Sequence, residues 1–471
     1  MDLEVVAPSS TYRRDRPQPP APAPLEKPPG PFKALRSLRA NPIECLTRAH
    51  FERPILIQKF FLDTIACVSD PDAIRHVFVK NAENYRKARF QQRVLIPACG
   101  DGLLTAEGDR WRVQRRLIGP LFTPRSVAGL ASAMAASAKA LVEHWQTYRA
   151  GSRLDVAAEM ARASIDVLER TIFADGLADA PGEVARRLTH YFNTVGRLDP
   201  LDALKAPDWV PRLGRLRARQ SLAQMASNVD RIIARRRKRL ANAPLSTPAD
   251  LVTILLTAGD PKIGREMTET EIRSNIWTFI FTGYETNANV LSWTLYLLSL
   301  DPEWRERLEV EADRELPDGH YVEGSLERLV ATRVVIEEAM RLYPPIPVLV
   351  REAIAADRLA GESVGPGTIV FIAPWVIHRH RLLWDAPDLF DPSRFLPGSR
   401  EAIDRFAYLP FGVGLRRCIG ESFALQAAII LIATVVRSFR LEPVPDHKVW
   451  PLVRTTLRPQ GGLPMILHRR R

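Results

Sequence analysis

The chain has 471 residues, 46% apolar and 25% charged, with 66 basic against 54 acidic side chains and a formal charge of +12. That composition is ordinary for a globular protein and allows a large core. The basic excess is local, in Arg13, Arg14 and Arg16, in Arg235 to Arg239 and in Arg469 to Arg471, with no zinc-finger spacing and no aromatic-interleaved basic sheet, so nucleic-acid recognition is excluded.

Residues 1–30 are proline-rich and hold no apolar stretch near the roughly 18 residues a bilayer span needs. They read as an extended, disordered tail without a transmembrane anchor, preceding one large domain over 31–471. Ile55 to Ile57 and Phe61 to Val68 have the pattern of short strands. Trp111 and Arg115 are spaced to share a helix face. From about Thr123 to Leu342 helical periodicity dominates, with proline or glycine breaks near 207–214, 244–248 and 259–264.

Asn275 to Leu300 is long, apolar and free of proline, and its centre reads Phe281-Thr282-Gly283-Tyr284-Glu285-Thr286-Asn287. A glutamate in an apolar buried helix is costly unless paired or functional. Gly283 weakens the helix by about 1 kcal/mol relative to alanine. Its missing side chain suggests room for a flat ligand against the backbone. Thr286 can turn its hydroxyl to the carbonyl of Thr282 and open the helix locally. Glu338 and Arg341 lie one turn apart on a helix stopped by Pro344-Pro345. A strand follows over Thr368 to Ala373, after the Gly365-Pro366-Gly367 turn.

Phe411-Gly412-Val413-Gly414-Leu415-Arg416-Arg417-Cys418-Ile419-Gly420 places one cysteine in a glycine-rich turn. A thiolate held there can ligate a haem iron axially, tuned by backbone N–H groups, and Arg416 can pair with a carboxylate of the same cofactor. The alternatives for a lone cysteine are a buried small hydrophobe or a nucleophile, the latter needing a base such as His378 or His380. Phe423 to Val436 reads as a buried core helix. Arg458 to Pro464 makes a turn between two short terminal strands. The four cysteines, Cys45, Cys67, Cys99 and Cys418, form no disulfide framework or zinc pattern, which fits a reducing cytoplasmic setting.

The cysteine run resembles the ligand loop of the cytochrome P-450 superfamily, F-x-x-G-x-R-x-C-x-G, with every fixed position filled. Gly283 to Thr286 resembles its oxygen-activating [A/G]-G-x-[D/E]-T, with Thr282 in place of the usual alanine. Trp111–Arg115 resembles W-x-x-x-R, Glu338–Arg341 E-x-x-R, and Asp391 to Phe395 supplies the arginine, Arg394, that completes the family's structural network. The resemblance implies a mainly α fold with minor β, a single triangular domain holding haem b between the long central helix and the cysteine loop with its following helix. It implies Cys418 as axial iron ligand; Trp111, Arg115, Arg351 and Arg416 at the propionates; Phe411 and Gly283 against the cofactor; and Glu285 and Thr286 delivering protons to O2.

The implied activity is hydroxylation or epoxidation of a hydrophobic small molecule such as a fatty acid or terpenoid. The alternatives are a haem-thiolate peroxygenase or isomerase and a non-enzymatic haem sensor. The resemblance puts substrate contacts at Lys87 to Leu104, 190–225, Asn275 to Thr286 and Ile346 to Val350, including Phe90, Leu95, Ile96, Phe279, Phe281 and Val348. No flavin or nicotinamide fingerprint occurs, so electrons from NAD(P)H would arrive through a separate ferredoxin, flavodoxin or reductase. Arg110, Arg112, Arg115 and Arg116 are placed to steer an acidic donor. A monomer is expected, with weak peripheral membrane contact through Leu201 to Leu216, which carries Lys205, Arg212 and Arg215.

Overall fold

A computed structural model describes residues 16–470 except 61, 178, 180, 196–200, 202–209, 211, 212, 261, 263, 320 and 323. The membrane-contact segment proposed within 201–216 falls largely outside this set. Six helices matter for the site: α1 (Arg89–Cys99), α2 (Gly108–Ile118), α3 (Val156–Thr171), α4 (Glu269–Leu300), α5 (Val330–Leu342) and α6 (Glu421–Ser438).

The 32 residues of α4 span about 48 Å at 1.5 Å each. A capping box fixes its start: the Thr268 hydroxyl accepts from Glu271 N, while Glu271 Oε2 accepts from Thr268 N at 2.9 Å. Asp301 ends it by capping the next helix through Trp304 N, 3.0 Å away. α4 is apolar on most of its circumference and packs against α1, α3, α5 and α6, so it forms the centre of the main core. α6 is an 18-residue helix apolar enough to cross a membrane by length and composition, and two-thirds of it is buried in this same core.

The strands form a layer at one side. β1 (Ile55–Phe60) and β2 (Asp63–Val68) make an antiparallel hairpin, joined in the order β1-β2-β6-β5-β3 by β3 (Tyr85–Arg86), β5 (Leu349–Ala353) and β6 (Ile369–Ile372). β2 and β6 run parallel and the other pairs antiparallel. A second sheet joins β4 (Arg153–Asp155), β10 (Pro464–Arg469) and β7 (Phe439–Pro443), and β8 (Pro451–Val453) pairs with β9 (Leu457–Pro459).

The turn expected between two terminal strands is present, but β9 and β10 pair elsewhere. Gly461 and Gly462 take left-handed backbone angles (φ 77° and 95°) that swing the chain off the β8–β9 hairpin. Any Cβ at Gly462 would sit 2.6 Å from an Asp155 carboxylate oxygen, the group that also receives Leu463 N.

The tail expectation needs correction for residues 16–30, which lie against the domain. Arg16 is buried on Asp301 at 2.8 Å, Pro17 O accepts from Phe390 N, Pro20 O accepts from the Tyr343 hydroxyl, and Leu25 bridges to Thr47. An extended proline-rich strand loses little further backbone freedom on docking, so a few buried polar contacts suffice to hold it. Residues 1–15 lie outside the described set.

Candidate active site

The cysteine loop closes on itself before α6 begins. Cys418 N donates to Phe411 O at 2.9 Å, and Gly412 and Gly414 adopt φ of 68° and 72°. At Gly414 an added Cβ would stand 2.2 Å from Phe78 O, so only glycine fits. Cys418 then lies three residues before Glu421, at the positive end of the α6 dipole. Its side chain is accessible, yet protein surrounds it closely enough that burial pushes the thiol up, against the Gly420 N–H, which holds it down, and Arg115 and Arg417. No histidine among the described residues hydrogen-bonds to this thiol. His378 is buried elsewhere, its imidazole pushed down to about 3 by burial and Arg341, and its Nε2 accepts from Leu409 N at 2.8 Å. The nucleophile alternative therefore has no base.

Four cations converge beside this loop from four separate segments. Arg416 donates to Ala106 O at 2.8 Å, pairs with Glu107 at 2.8 Å and stacks 4.0 Å over the Trp111 ring. Arg351, on β5, donates to its neighbour Val350 O and lies 4.8 Å from the Phe78 ring centre. Arg115 on α2 is half-buried and pushed down by desolvation. Lys87 donates to Leu104 O and lies 3.9 Å from Glu107. Burial and the proximity of Arg416 push Lys87 down to about 7 and Arg351 to about 10.

Among the described residues Glu107 is the one carboxylate paired with any of the four. Desolvated like charges with so little compensation call for an anion. The two propionates of a haem fit that demand, and Cys418 supplies the soft axial ligand. Lys87 belongs to this cradle although sequence reasoning assigned it only to a substrate segment; its pairing is non-local and leaves no motif.

Three faces of the α4 centre do different things. Thr286 donates to Thr282 O at 2.6 Å, and both side chains keep accessible surface within a buried helix. Gly283 has a packing role besides the one expected of it. A Cβ there would meet the Leu168 methyl groups at 3.0 and 3.3 Å, so the glycine allows close packing against α3. Glu285 faces a third way, toward the β8–β9 hairpin. Its Oε1 lies 3.5 Å from Arg458, while Asn289 and Trp293, one and two turns on, bond to Thr456 and Leu457 at 3.2 and 3.3 Å.

Glu285 and Thr286 are neighbours in sequence, but their side chains make no hydrogen bond to each other. Burial pushes the Glu285 carboxyl up to about 7 against the pull of Arg458. The folded state thus holds this proton more tightly than the unfolded chain, so its stabilising contribution is full below about pH 4.5 and is lost as pH rises through 7. Glu285→Gln should therefore gain on the parent by on the order of 3 kcal/mol between pH 4.5 and 8, measured by chemical denaturation. A difference independent of pH would remove the assignment.

The Glu338 and Arg341 side chains are fully buried. Arg341 donates to both Glu338 oxygens (2.6 and 2.8 Å) and to the carbonyls of His378, Pro387 and Leu389 (2.7, 2.7 and 2.8 Å). Arg394 Nε lies 3.7 Å from Glu338 Oε1, which also accepts from Asp391 N at 2.8 Å. This network pins the segment that leads into the cysteine loop.

Other expectations need correction. Phe279 stacks on Phe122 at 5.2 Å and Phe281 packs edge-on against Tyr191 at 5.8 Å, both within the core rather than facing a cavity. Ile96 is 46% exposed. Phe90 and Val348 remain partly accessible beside Ile369 and Phe371. Of the arginines assigned to donor steering, Arg110 pairs with Asp101, Arg112 with Asp109 and Arg116 with Asp260, which largely neutralises that patch.

The chain is similar to several known proteins. A family profile described as Cytochrome P450 matches residues 31–465. "Cyclooctatin synthase" of Streptomyces melanosporofaciens is 30% identical over 84% of both chains. "Cyclooctat-9-en-7-ol 5-monooxygenase" of the same organism is 32% identical over 78% of both. A solved structure titled "Crystal structure of cytochrome P450DA heme domain" aligns with a TM-score of 0.80 over 96% of this chain and 98% of that one; at 24% identity it shows the fold alone.

Proposed function

We propose, from the premise that this chain belongs to the cytochrome P450 family, that it inserts one oxygen atom into a terpenoid-like hydrophobic molecule. The family makes it an oxygen-incorporating oxidoreductase that uses haem and O2. The observation that carries the reading is an accessible thiol beside a cation cradle that pairs with one acid, together with Thr286 on an open face of α4.

Bound haem supplies the redox chemistry that splits O2, one atom leaving as water and the other entering substrate, with two electrons and two protons consumed. The protein's residues do the rest. Lys87, Arg115, Arg351 and Arg416 would hold the two carboxylates, with Trp111 bracing Arg416. The Gly420 N–H and the α6 dipole favour the anionic form of Cys418, which metal ligation requires. Thr286 presents its oxygen on the open face of α4, while the Glu285 carboxyl, pushed up by burial, faces the β8–β9 hairpin and would reach Thr286 only through other groups.

Support for a terpenoid substrate comes from the two similar proteins named for cyclooctatin and for cyclooctat-9-en-7-ol, the latter an alcohol. A ferredoxin, flavodoxin or reductase would supply the electrons. Thr286→Ala should leave NAD(P)H consumption running while product per electron pair falls on the order of tenfold, hydrogen peroxide making up the difference. Unchanged coupling would remove Thr286 from proton delivery.

A further inference from the structure

Between Thr278 and Leu298 every residue of α4 is buried except Thr282, Gly283 and Thr286. Gly283 is taken up by Leu168, so the open face at the centre of the helix is made by two threonines one turn apart. Their hydroxyl protons are committed. Thr286 donates to Thr282 O at 2.6 Å, Thr282 donates to Thr278 O at 2.7 Å, and Thr278 continues the ladder to Ser274 O at 2.8 Å.

A hydroxyl has one proton and two lone pairs. With its proton engaged, Thr282 Oγ1 offers acceptor capacity and a methyl group on this open face. A ketone, ether or carboxylate oxygen would meet lone pairs, or would have to break the bond to Thr278 O. An alcohol would donate without disturbing anything.

We propose that Thr282 is a specificity residue that accepts a hydrogen bond from a hydroxyl on the substrate, so that the enzyme oxidises hydrophobic alcohols in preference to the parent hydrocarbon, ether or acid. This rests on the oxygenase reading above and names its substrate class. The bond anchors one oxygen of the substrate four residues, about 6 Å along the axis, from Thr286. It thereby presents a different carbon for attack, leaving the existing alcohol intact. The substrate would then be the product of an earlier step that installed the first hydroxyl.

The test uses haem-loaded full-length protein and matched probes on two skeletons: dodecanol, dodecane, methyl dodecyl ether and dodecanoate, and farnesol with its hydrocarbon, methyl ether and acid. Affinities are read from substrate-induced spin-state shifts and from calorimetry. The parent should bind the alcohol of at least one skeleton about tenfold more tightly than its three analogues. Thr282→Val, which keeps shape and removes the acceptor, should erase that preference, and Thr282→Ser should retain it. Equal binding of ether or acid, alcohols that bind on neither skeleton, or a preference that survives in Thr282→Val would overturn the proposal. The reduced carbon-monoxide spectrum of the same parent sample separates the two levels: if the thiolate signature is intact and the preference missing, only the alcohol assignment fails.

Discussion

Cys418→Ala should leave the domain folded and reduce oxygen insertion to background. The side chain is accessible, so truncating it removes little packing. The cradle of Lys87, Arg115, Arg351 and Arg416 is untouched, so some haem should still bind. What disappears is the only soft, anionic ligand the loop offers, and with it the electron donation that favours O–O cleavage. The reduced, carbon-monoxide-treated variant should lose the strongly red-shifted Soret band of a thiolate-ligated haem. A variant that kept both that band and turnover would remove Cys418 as the ligand.

Arg341→Lys is the second large effect, and it concerns folding. All of the guanidinium's donors are used: Nε and Nη2 on Glu338, and three backbone carbonyls besides. Lysine has three donors in a different geometry and cannot span the carboxylate and the three carbonyls. Breaking a fully buried pair leaves an uncompensated charge and typically costs 3–5 kcal/mol, a large part of a domain's 5–15 kcal/mol. Denaturant midpoints should fall accordingly, with a lower haem-to-protein ratio on purification, because the Glu338 carboxylate also receives Asp391 N and neighbours Arg394. Stability within 1 kcal/mol of the parent would contradict the network's role.

Residues whose partners are close along the chain were legible. The cysteine loop, the Glu338–Arg341 pair and the long central helix follow from spacing, turn chemistry and periodicity, and the structure builds them as read. Groups whose meaning depends on which way a helix is rotated were not. Gly283, Phe279 and Phe281 all sit on α4, but the sequence does not say that the first meets Leu168 or that the aromatics meet Phe122 and Tyr191. Contacts across long separations were equally silent: Arg458 reaches Glu285 from the C-terminal hairpin, and Lys87 joins cations from positions 115, 351 and 416.

The docked N-terminal segment bears on how the protein is handled at the bench. The matching family profile starts at residue 31, yet Arg16, Pro17 and Pro20 already grip Asp301, Phe390 and Tyr343. Phe390 directly precedes Asp391, and Tyr343 follows Arg341 by two residues. Trimming an expression clone to the profile boundary would therefore strip a clasp from the outside of the Glu338–Arg341 knot, and a purification tag is better spliced upstream of Arg16.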